Sequence, residues 1–457
     1  MRHRTLLSLI LASGTLASAQ TLSAPVQVET YCKQLVQNVD RWNGGPEGKT
    51  GMGAYNPGFS GFFNVNLTRD WQPKPTDTIS SVAQERAIYM NIEAYRASKE
   101  PRFKQAAIDG ADFLLKHFWD PKLGGFYWEV DRNGNPTSRS KQGYGNVFGL
   151  FTLTHLYDIT KDIKYLRVIL QQLDVMKNHF VVKEHPGIVH PGFNADFTAV
   201  EGNNNSDVFT HYFEALMALH DILKGQRKAE VHQMIQQAGE GLIQVLYRDQ
   251  TGYTDRGYVA YNYDSAWEPA SAPYTRDTQW TTSRQASTGH NIELAYLLSR
   301  AVERGFDPQW LKTAQKLKKF VEVHALNPDT GAMQYEVTDH DGTPLQGNPD
   351  NDFYVWWANS ETARGFLHFY VVRKDDTLKE FALQENFIQN HFVDKEFGGW
   401  YQSVHVGDLQ VFDTTKGSIW TMNYHETMLA VEVLRLARLY PEAMGKQNSS
   451  CFVASKR

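Results

Sequence analysis

Long and short connections alternate between helices along this chain, and that alternation constrains the fold more than any other feature. Apolar residues recur with helical period near 22–40, 79–98, 102–118, 145–160, 163–180, 207–224, 228–247, 285–304, 308–326, 357–374, 378–392 and 422–440. Short links such as Ser98-Lys99-Glu100-Pro101, Thr160-Lys161-Asp162 and Gly305-Phe306-Asp307 join the second helix of one pair to the first of the next. The remaining links are long, near 41–78, 119–144, 181–206, 248–284, 327–356 and 393–421. Short links make antiparallel neighbours, so every long loop falls on one face. The loops repeat as well. Asp120-Pro121-Lys122-Leu123-Gly124-Gly125-Phe126-Tyr127 returns as Asp394-Lys395-Glu396-Phe397-Gly398-Gly399-Trp400-Tyr401, with a weaker copy over 327–335. Turn residues at Asn133-Gly134 and Asp341-Gly342 mark β-hairpins. The expected fold is all-α: a six-fold α/α barrel, a toroid of twelve helices with β-hairpin loops on one face. Odd helices such as Phe103 to Phe118 and Trp310 to Leu326 are amphipathic and belong outside. Even helices carry small and aromatic residues on all sides, as in Gly143-Tyr144-Gly145-Asn146-Val147-Phe148-Gly149, and belong inside. A linear solenoid competes; the absence of polar capping repeats favours closure.

Residues 1–19 read as a secretory signal: Met1-Arg2-His3-Arg4, an apolar run from Leu6 to Ala12, and Ala17-Ser18-Ala19 as a cleavage site. The expectation is a secreted or periplasmic protein with no membrane association after cleavage. No linker or composition shift divides the rest, so 20–445 reads as one domain and 446–457 as a polar tail. Net charge is −5 with both signs interspersed, which leaves no basic stripe for nucleic acid. Aromatic residues make up 13% of the chain, and those in loops suit the stacking face of a sugar ring. Three sequons, at Asn66, Asn204 and Asn448, matter only in a eukaryotic host.

If the even helices form an inner ring, the polar residues near their starts converge on one mouth. Arg86, His211, His290, Glu361 and His425 hold such positions, and Tyr144 and Asn146 open the remaining helix. His211 with Glu214 and His290 with Glu293 share the spacing His-x-x-Glu, which puts both side chains on one helical face. A carboxylate there can orient an imidazole and raise its pKa, as a general base requires. A surface ion pair is the plainer reading of each copy taken singly. Trp356 and Trp357 precede Glu361, and Trp420 precedes Tyr424-His425, combining stacking surface with hydrogen-bonding groups. Neither His-Glu-x-x-His nor a cysteine pair of metal-site spacing occurs, and no P-loop, dinucleotide fingerprint or nucleophile elbow is found, so no metal and no cofactor are expected.

These features together resemble the N-acylglucosamine 2-epimerase superfamily, which includes cellobiose 2-epimerases and mannose-type aldose–ketose isomerases. The resemblance runs from about residue 30 to about 440. Its most specific parts are Gly289-His290-Asn291-Ile292-Glu293, similar to the family's GHxxE; Trp356-Trp357 through Glu361, similar to WWxxxE; and Trp420 with Tyr424-His425, similar to WxxxxH. Arg86 and the His211–Glu214 pair match further inner-helix positions. The resemblance implies metal-free proton transfer at the reducing end of a mono- or disaccharide. His290 and His425 would be the acid/base pair acting through a cis-enediolate, and His211 would assist ring opening. Arg86 would bind oxygens near C1 or C2, Glu293 and Glu361 would orient imidazole and substrate, and Tyr144, Asn146, Glu214, Trp356, Trp357 and Trp420 would complete the binding site. The chain departs from the family pattern at Asp207 (often Asn), Tyr296 (Trp in cellobiose epimerases), Thr421 (often Lys) and Met428 (often Arg).

Two other functions fit a toroid of this kind. A glycoside hydrolase or lyase would use two carboxylates flanking one bond, for which Asp207, Glu214, Glu293 and Glu361 are available. A sugar-binding protein without catalysis would keep the tryptophans and tolerate loss of the histidines. The partner expected in every case is a small carbohydrate, bound by a monomer or homodimer. Ring closure carries one further expectation. Cys32 lies on the first helix and Cys451 just beyond the twelfth, so a closed ring brings them close enough to pair in an oxidising compartment.

Overall fold

The computed structural model describes residues 26–45, 54–56, 61–75 and 77–454; the signal sequence read over 1–19 lies outside them. Among the described residues, twelve long helices follow the expected pairing: α1 (Val28–Trp42), α2 (Ser81–Ser98), α3 (Pro101–His117), α4 (Gly143–Thr160), α5 (Ile163–Val175), α6 (Ser206–Ile222), α7 (Gly225–Gly241), α8 (Thr288–Glu303), α9 (Trp310–His324), α10 (Trp356–His368), α11 (Leu378–Phe387) and α12 (Tyr424–Leu439). Single π-helical turns at Met176–Phe180, Leu242–Leu246, Phe369–Arg373 and Ile388–Phe392 extend four of them to the ends that periodicity predicts.

Even-numbered helices pack on one another in cyclic order, α2 on α4, α4 on α6, and so on to α12, which returns to α2. The ring is closed, and the fold is an α/α barrel. Each inner helix is covered on both sides, which is why its polar residues are buried rather than confined to one stripe. In α2, Gln84, Glu85, Arg86 and Asn91 are all buried. The outer helix α3 instead buries one face through Phe103, Ala107, Ala111 and Leu114.

Two short helices, α13 (Pro441–Met444) and α14 (Ser450–Ala454), follow the barrel. Within the polar tail, α14 packs on α1 and α2. Cys451 forms a disulfide with Cys32, with their Cα atoms 5.9 Å apart. Gln447 donates to the carbonyl of Val26 and accepts from the amide of Val28. The first and last helices of the ring are thereby tied together, as closure predicts.

The repeated loops share one bridge each, Trp119 to Phe126, Leu326 to Met333 and Val393 to Trp400. Strands Thr78–Ser80, Glu129–Asp131 and Pro136–Ser138 form one small sheet, and Phe353–Val355, Ser403–His405 and Val411–Asp413 another. Inner-helix asparagines hold such loops in place. Asn146 accepts from the amide of Phe126 at 2.8 Å and donates to its carbonyl at 3.1 Å. Asn291 does the same to Val259, and Asn359 to Met333. Asn146 therefore has no group left for a ligand: it is fully buried and braces a loop, in place of the substrate-binding role expected of it.

Candidate active site

On the loop face a cavity of about 580 Å³ opens into the ring. Of the residues singled out above, Arg86, Tyr144, His290, Trp356, Trp357, Trp420 and His425 line it. The inner helices present their polar groups at two depths. His290 and His425 stand at the cavity; His211, Glu293 and Glu361 lie about one turn deeper along their helices, with Glu214 below His211.

His425 is delivered by Met422 and Asn423, both at positive φ (29° and 54°), a turn that few side chains adopt and that swings the start of α12 into the mouth. Its Nδ1 lies 2.8 Å from Glu361 Oε1. With the hydrogen on Nδ1, the lone pair falls on Nε2. Burial pushes the His425 pKa well below that of an ordinary histidine, and Arg86, His211, Arg364 and His290 act in the same direction. The ring is a neutral base.

His290 behaves in the opposite way. Its Nδ1 meets Ser287 Oγ at 2.8 Å, and its Nε2 faces Asp207 Oδ1 at 3.1 Å. Burial works to lower its pKa, but Asp207, with Glu293 and Glu336, outweighs that and the net direction is up. The helical spacing predicts a contact with Glu293 that does not form. Near the start of α8 the imidazole turns toward the cavity and the N-terminal serine, while Glu293, deeper by most of a turn, meets Arg364 at 3.3 Å. Both histidines flank the indole of Trp357, with ring centroids at 4.9 Å and 5.4 Å. A Cβ on Gly289 would sit 2.4 Å from that indole, so only glycine fits before His290.

His211 stands behind Tyr144, whose hydroxyl is 2.9 Å from its Nε2; its Nδ1 is 3.4 Å from Glu214 Oε2. Arg86 donates to the Tyr144 hydroxyl at 2.7 Å and to the Trp420 carbonyl, and its guanidinium lies over Phe148 and Tyr424. Glu214 also accepts from Tyr424 at 2.5 Å.

Arg364 organises the floor and was not among the expected residues. It is 1% exposed and faces Glu361, Glu293 (3.3 Å) and Glu214 (3.8 Å). Burial pushes Glu361 up to about 7 despite Arg364; burial and then Glu361 push Glu293 up to about 7. Ligand atoms of His211, Glu214 and Glu293 approach within 4.8 Å of one another, close enough to hold a cation. A guanidinium already supplies positive charge to both carboxylates there, so the donor set fits a second cation poorly. Asp207, named above only as a family departure and a candidate hydrolase carboxylate, also lines the cavity, as do Tyr261, Trp280, Ser287 and Glu336, which were not expected. Ser287 carried a signal, as an N-capping serine three residues before His290. Asp207 did too, as the acid one turn before His211. Glu336, which accepts from Trp357 Nε1 at 2.8 Å, sits just past the third loop copy; Trp280 and Tyr261 come from a loop with no repeat to align.

The carboxylates a hydrolase would need are placed differently. Of the four named for that role, Glu214, Glu293 and Glu361 gather under the histidines around one arginine, and Asp207 lines the cavity but lies against His290. The sequence profile of the N-acylglucosamine 2-epimerase (GlcNAc 2-epimerase) family matches residues 61–428. The chain belongs to that family. It is 23% identical over 394 residues to a cellobiose 2-epimerase of Bacteroides fragilis, spanning 82% of this chain and 92% of that one. It is 23% identical over 383 residues to a D-mannose isomerase of Marinomonas mediterranea, spanning 83% and 92%. The solved cellobiose 2-epimerase of Bacillus thermoamylovorans superposes with a TM-score of 0.73 at 19% identity, over 90% of this chain and 99% of that one, which shows the shared barrel.

Proposed function

We propose that this member of the family is a metal-independent sugar 2-epimerase or aldose–ketose isomerase, acting on the reducing end of a mono- or disaccharide. Its class, carbohydrate epimerase or isomerase, comes with the family. One observation carries the mechanism: two histidines flank Trp357 in the cavity with their pKa values pushed in opposite directions, His425 down and His290 up. Such a pair is an assigned base and acid.

The open-chain aldehyde acidifies the proton at C2. His425 Nε2 takes that proton, and the C–H electron pair forms the C1=C2 bond of a cis-enediolate. Arg86 and Tyr144 donate to the oxygens where charge develops. Return of a proton to C2 from the opposite face gives the epimer; return to C1 gives the ketose. Tyr144 and His211 form a hydrogen-bonded pair suited to moving a proton during ring opening. Trp356, Trp357 and Trp420 offer faces for the sugar ring.

The reading includes export, supported by the pattern of residues 1–19 and by the Cys32–Cys451 disulfide. Among the described residues no helix is long and apolar enough to cross a membrane. The reading covers either a monomer or a homodimer.

Incubation with cellobiose, mannose or an N-acylglucosamine in D2O, followed by NMR, tests the proposal. Deuterium at C2 or C1 of a product, undiminished by EDTA, is expected. Release of a smaller sugar from a glycoside without deuterium uptake refutes it in favour of hydrolysis, and loss with EDTA refutes metal independence.

A further inference from the structure

His290 and His425 are not equivalent in what they offer to a substrate carbon. Asp207, in the first turn of α6, extends its carboxylate between two imidazoles, 3.7 Å from His211 Nε2 and 3.1 Å from His290 Nε2. The other nitrogen of His290 is held by Ser287 at 2.8 Å. Ser287 thus hydrogen-bonds one ring nitrogen of His290, and the Asp207 carboxylate lies against the other as an ion-pair contact without an aligned hydrogen bond. The ring is fixed in that posture by Trp357 on one neighbouring element (centroids 4.9 Å) and Tyr261 on another (5.8 Å). His425 differs: Glu361 holds Nδ1, and no protein partner of Nε2 is found among the described residues.

We propose that Asp207 withholds His290 from carbon chemistry, so that His425 serves both C2 and C1 and the protein forms the ketose rather than the C2 epimer. The inference rests on the epimerase or isomerase reading and narrows it. The protons balance. His425 Nε2 takes the proton from C2, the C–H pair becomes the C1=C2 bond, and the carbonyl pair moves to O1, which takes a proton. The O2–H proton then leaves as the C2=O2 carbonyl forms. The C1=C2 pair takes the proton from His425 at C1, and His425 is neutral again. The proton gained by O1 and the one lost by O2 pass through Tyr144, whose hydroxyl is 2.9 Å from His211 Nε2. One face of the enediolate is used throughout, as a single base requires.

Asp207 is a positioning residue, and its carboxylate distinguishes it from a neutral amide of the same shape. An amide can keep the contact but holds no charge against the imidazole. The groups around His290 that share in its ionisation are Asp207 on α6, Glu293 on its own helix, and Glu336 on the adjoining hairpin; Tyr261 packs on it but is kept neutral by burial. Removing the Asp207 charge leaves burial, the largest influence on His290 and one that lowers its pKa, opposed only by the weaker pull of Glu293 and Glu336.

The test compares wild type with Asp207→Asn and Asp207→Ser, following initial products in D2O by NMR and the pH dependence of kcat/KM. Wild type is expected to give mainly ketose, with deuterium at C1 only to the extent that the His425 N–H exchanges with solvent before delivery. The variants are expected to raise the share of C2-labelled epimer and, because His290 then joins the carbon chemistry, to add its ionisation to a pH profile that in wild type follows His425. An epimer as the main initial product of wild type overturns the inference without needing any variant. Unchanged product ratio and pH profile in folded variants overturn it as well. Folded wild type that converts none of the sugars into an epimer or a ketose defeats the epimerase or isomerase reading itself, which separates the two failures.

Discussion

Arg364→Met removes the one cation that faces Glu214, Glu293 and Glu361 together, and its cost follows from the geometry. The side chain is 1% exposed, and methionine approximates its volume without its charge. Leaving buried carboxylates without their partner costs about 3–5 kcal/mol. At about 2.1 cal/mol/K per residue over 457 residues, the unfolding entropy is about 1 kcal/mol/K, so the cost corresponds to a fall of about 3–5 °C in Tm. The sign of the pH dependence is also determined. Glu293 and Glu361 titrate near 7 in the folded protein, above the ordinary carboxylate value of about 4.3. Their contribution to stability is therefore complete below the unfolded value and lost as pH rises through about 7. Arg364 lowers both, so its removal pushes them further up and widens the loss at high pH. Scanning fluorimetry of wild type and variant should show a large difference in Tm at about pH 8 that shrinks toward about pH 5.5, where both carboxyls are protonated in either protein. Equal differences at the two pH values, or a difference below about 1 °C at the higher one, would refute the argument that charge at this floor is what Arg364 balances.

Three further outcomes are expected. His425→Asn should lower turnover by roughly 10²–10⁴-fold, the usual worth of a general base, with circular dichroism unchanged; near wild-type turnover removes His425 from the chemistry. The pH profile of kcat/KM should have its acid limb below the ordinary histidine value, because His425 must be neutral; an acid limb near about 6.5 contradicts the lowered His425 value. Denatured, unreduced protein should show no reactive thiol, and Cys451→Ser should lower Tm, since the chain-entropy model credits a loop this long with about 5–6 kcal/mol at most. Two thiols per chain would exclude the disulfide.

The barrel was legible because it rests on period and connection length, two properties that survive averaging over many residues. Closure was expected from the absence of polar capping repeats, and the pairing of Cys32 with Cys451 that it implied is present. The candidate site was legible where one residue lines the cavity from one place in the repeat, as Arg86, His290, Trp357 and His425 do. It was not legible where function depends on contacts between helices. Glu293 shows this best: helical spacing pairs it with His290, yet the neighbouring helix supplies Arg364 and takes Glu293 away, while Asp207 arrives from the opposite side to take its place. Asn146 misled for a related reason. A buried asparagine at the start of an inner helix looks like a ligand-binding group until its amide is seen spent on Phe126, the same bond that Asn291 makes to Val259 and Asn359 to Met333.

That repetition explains how one scaffold separates structure from chemistry. Asn146, Asn291 and Asn359 each hold the loop that packs beside their own helix, so the mouth keeps its shape whatever the adjacent residues are. The residue just before the asparagine differs from helix to helix: it is Gly145 in α4, His290 in α8 and Ala358 in α10. Two positions beyond, the same helices place Phe148, Glu293 and Glu361, which face the barrel interior and decide what supports the residues above. Glu361 supports His425 from the next inner helix, whereas Glu293 supports nothing in the cavity directly and leaves His290 to Ser287 and Asp207. The two histidines thus differ because their supporting layers differ, and a change at Asp207 or Glu361 should alter the chemistry without disturbing the loops that the asparagines hold.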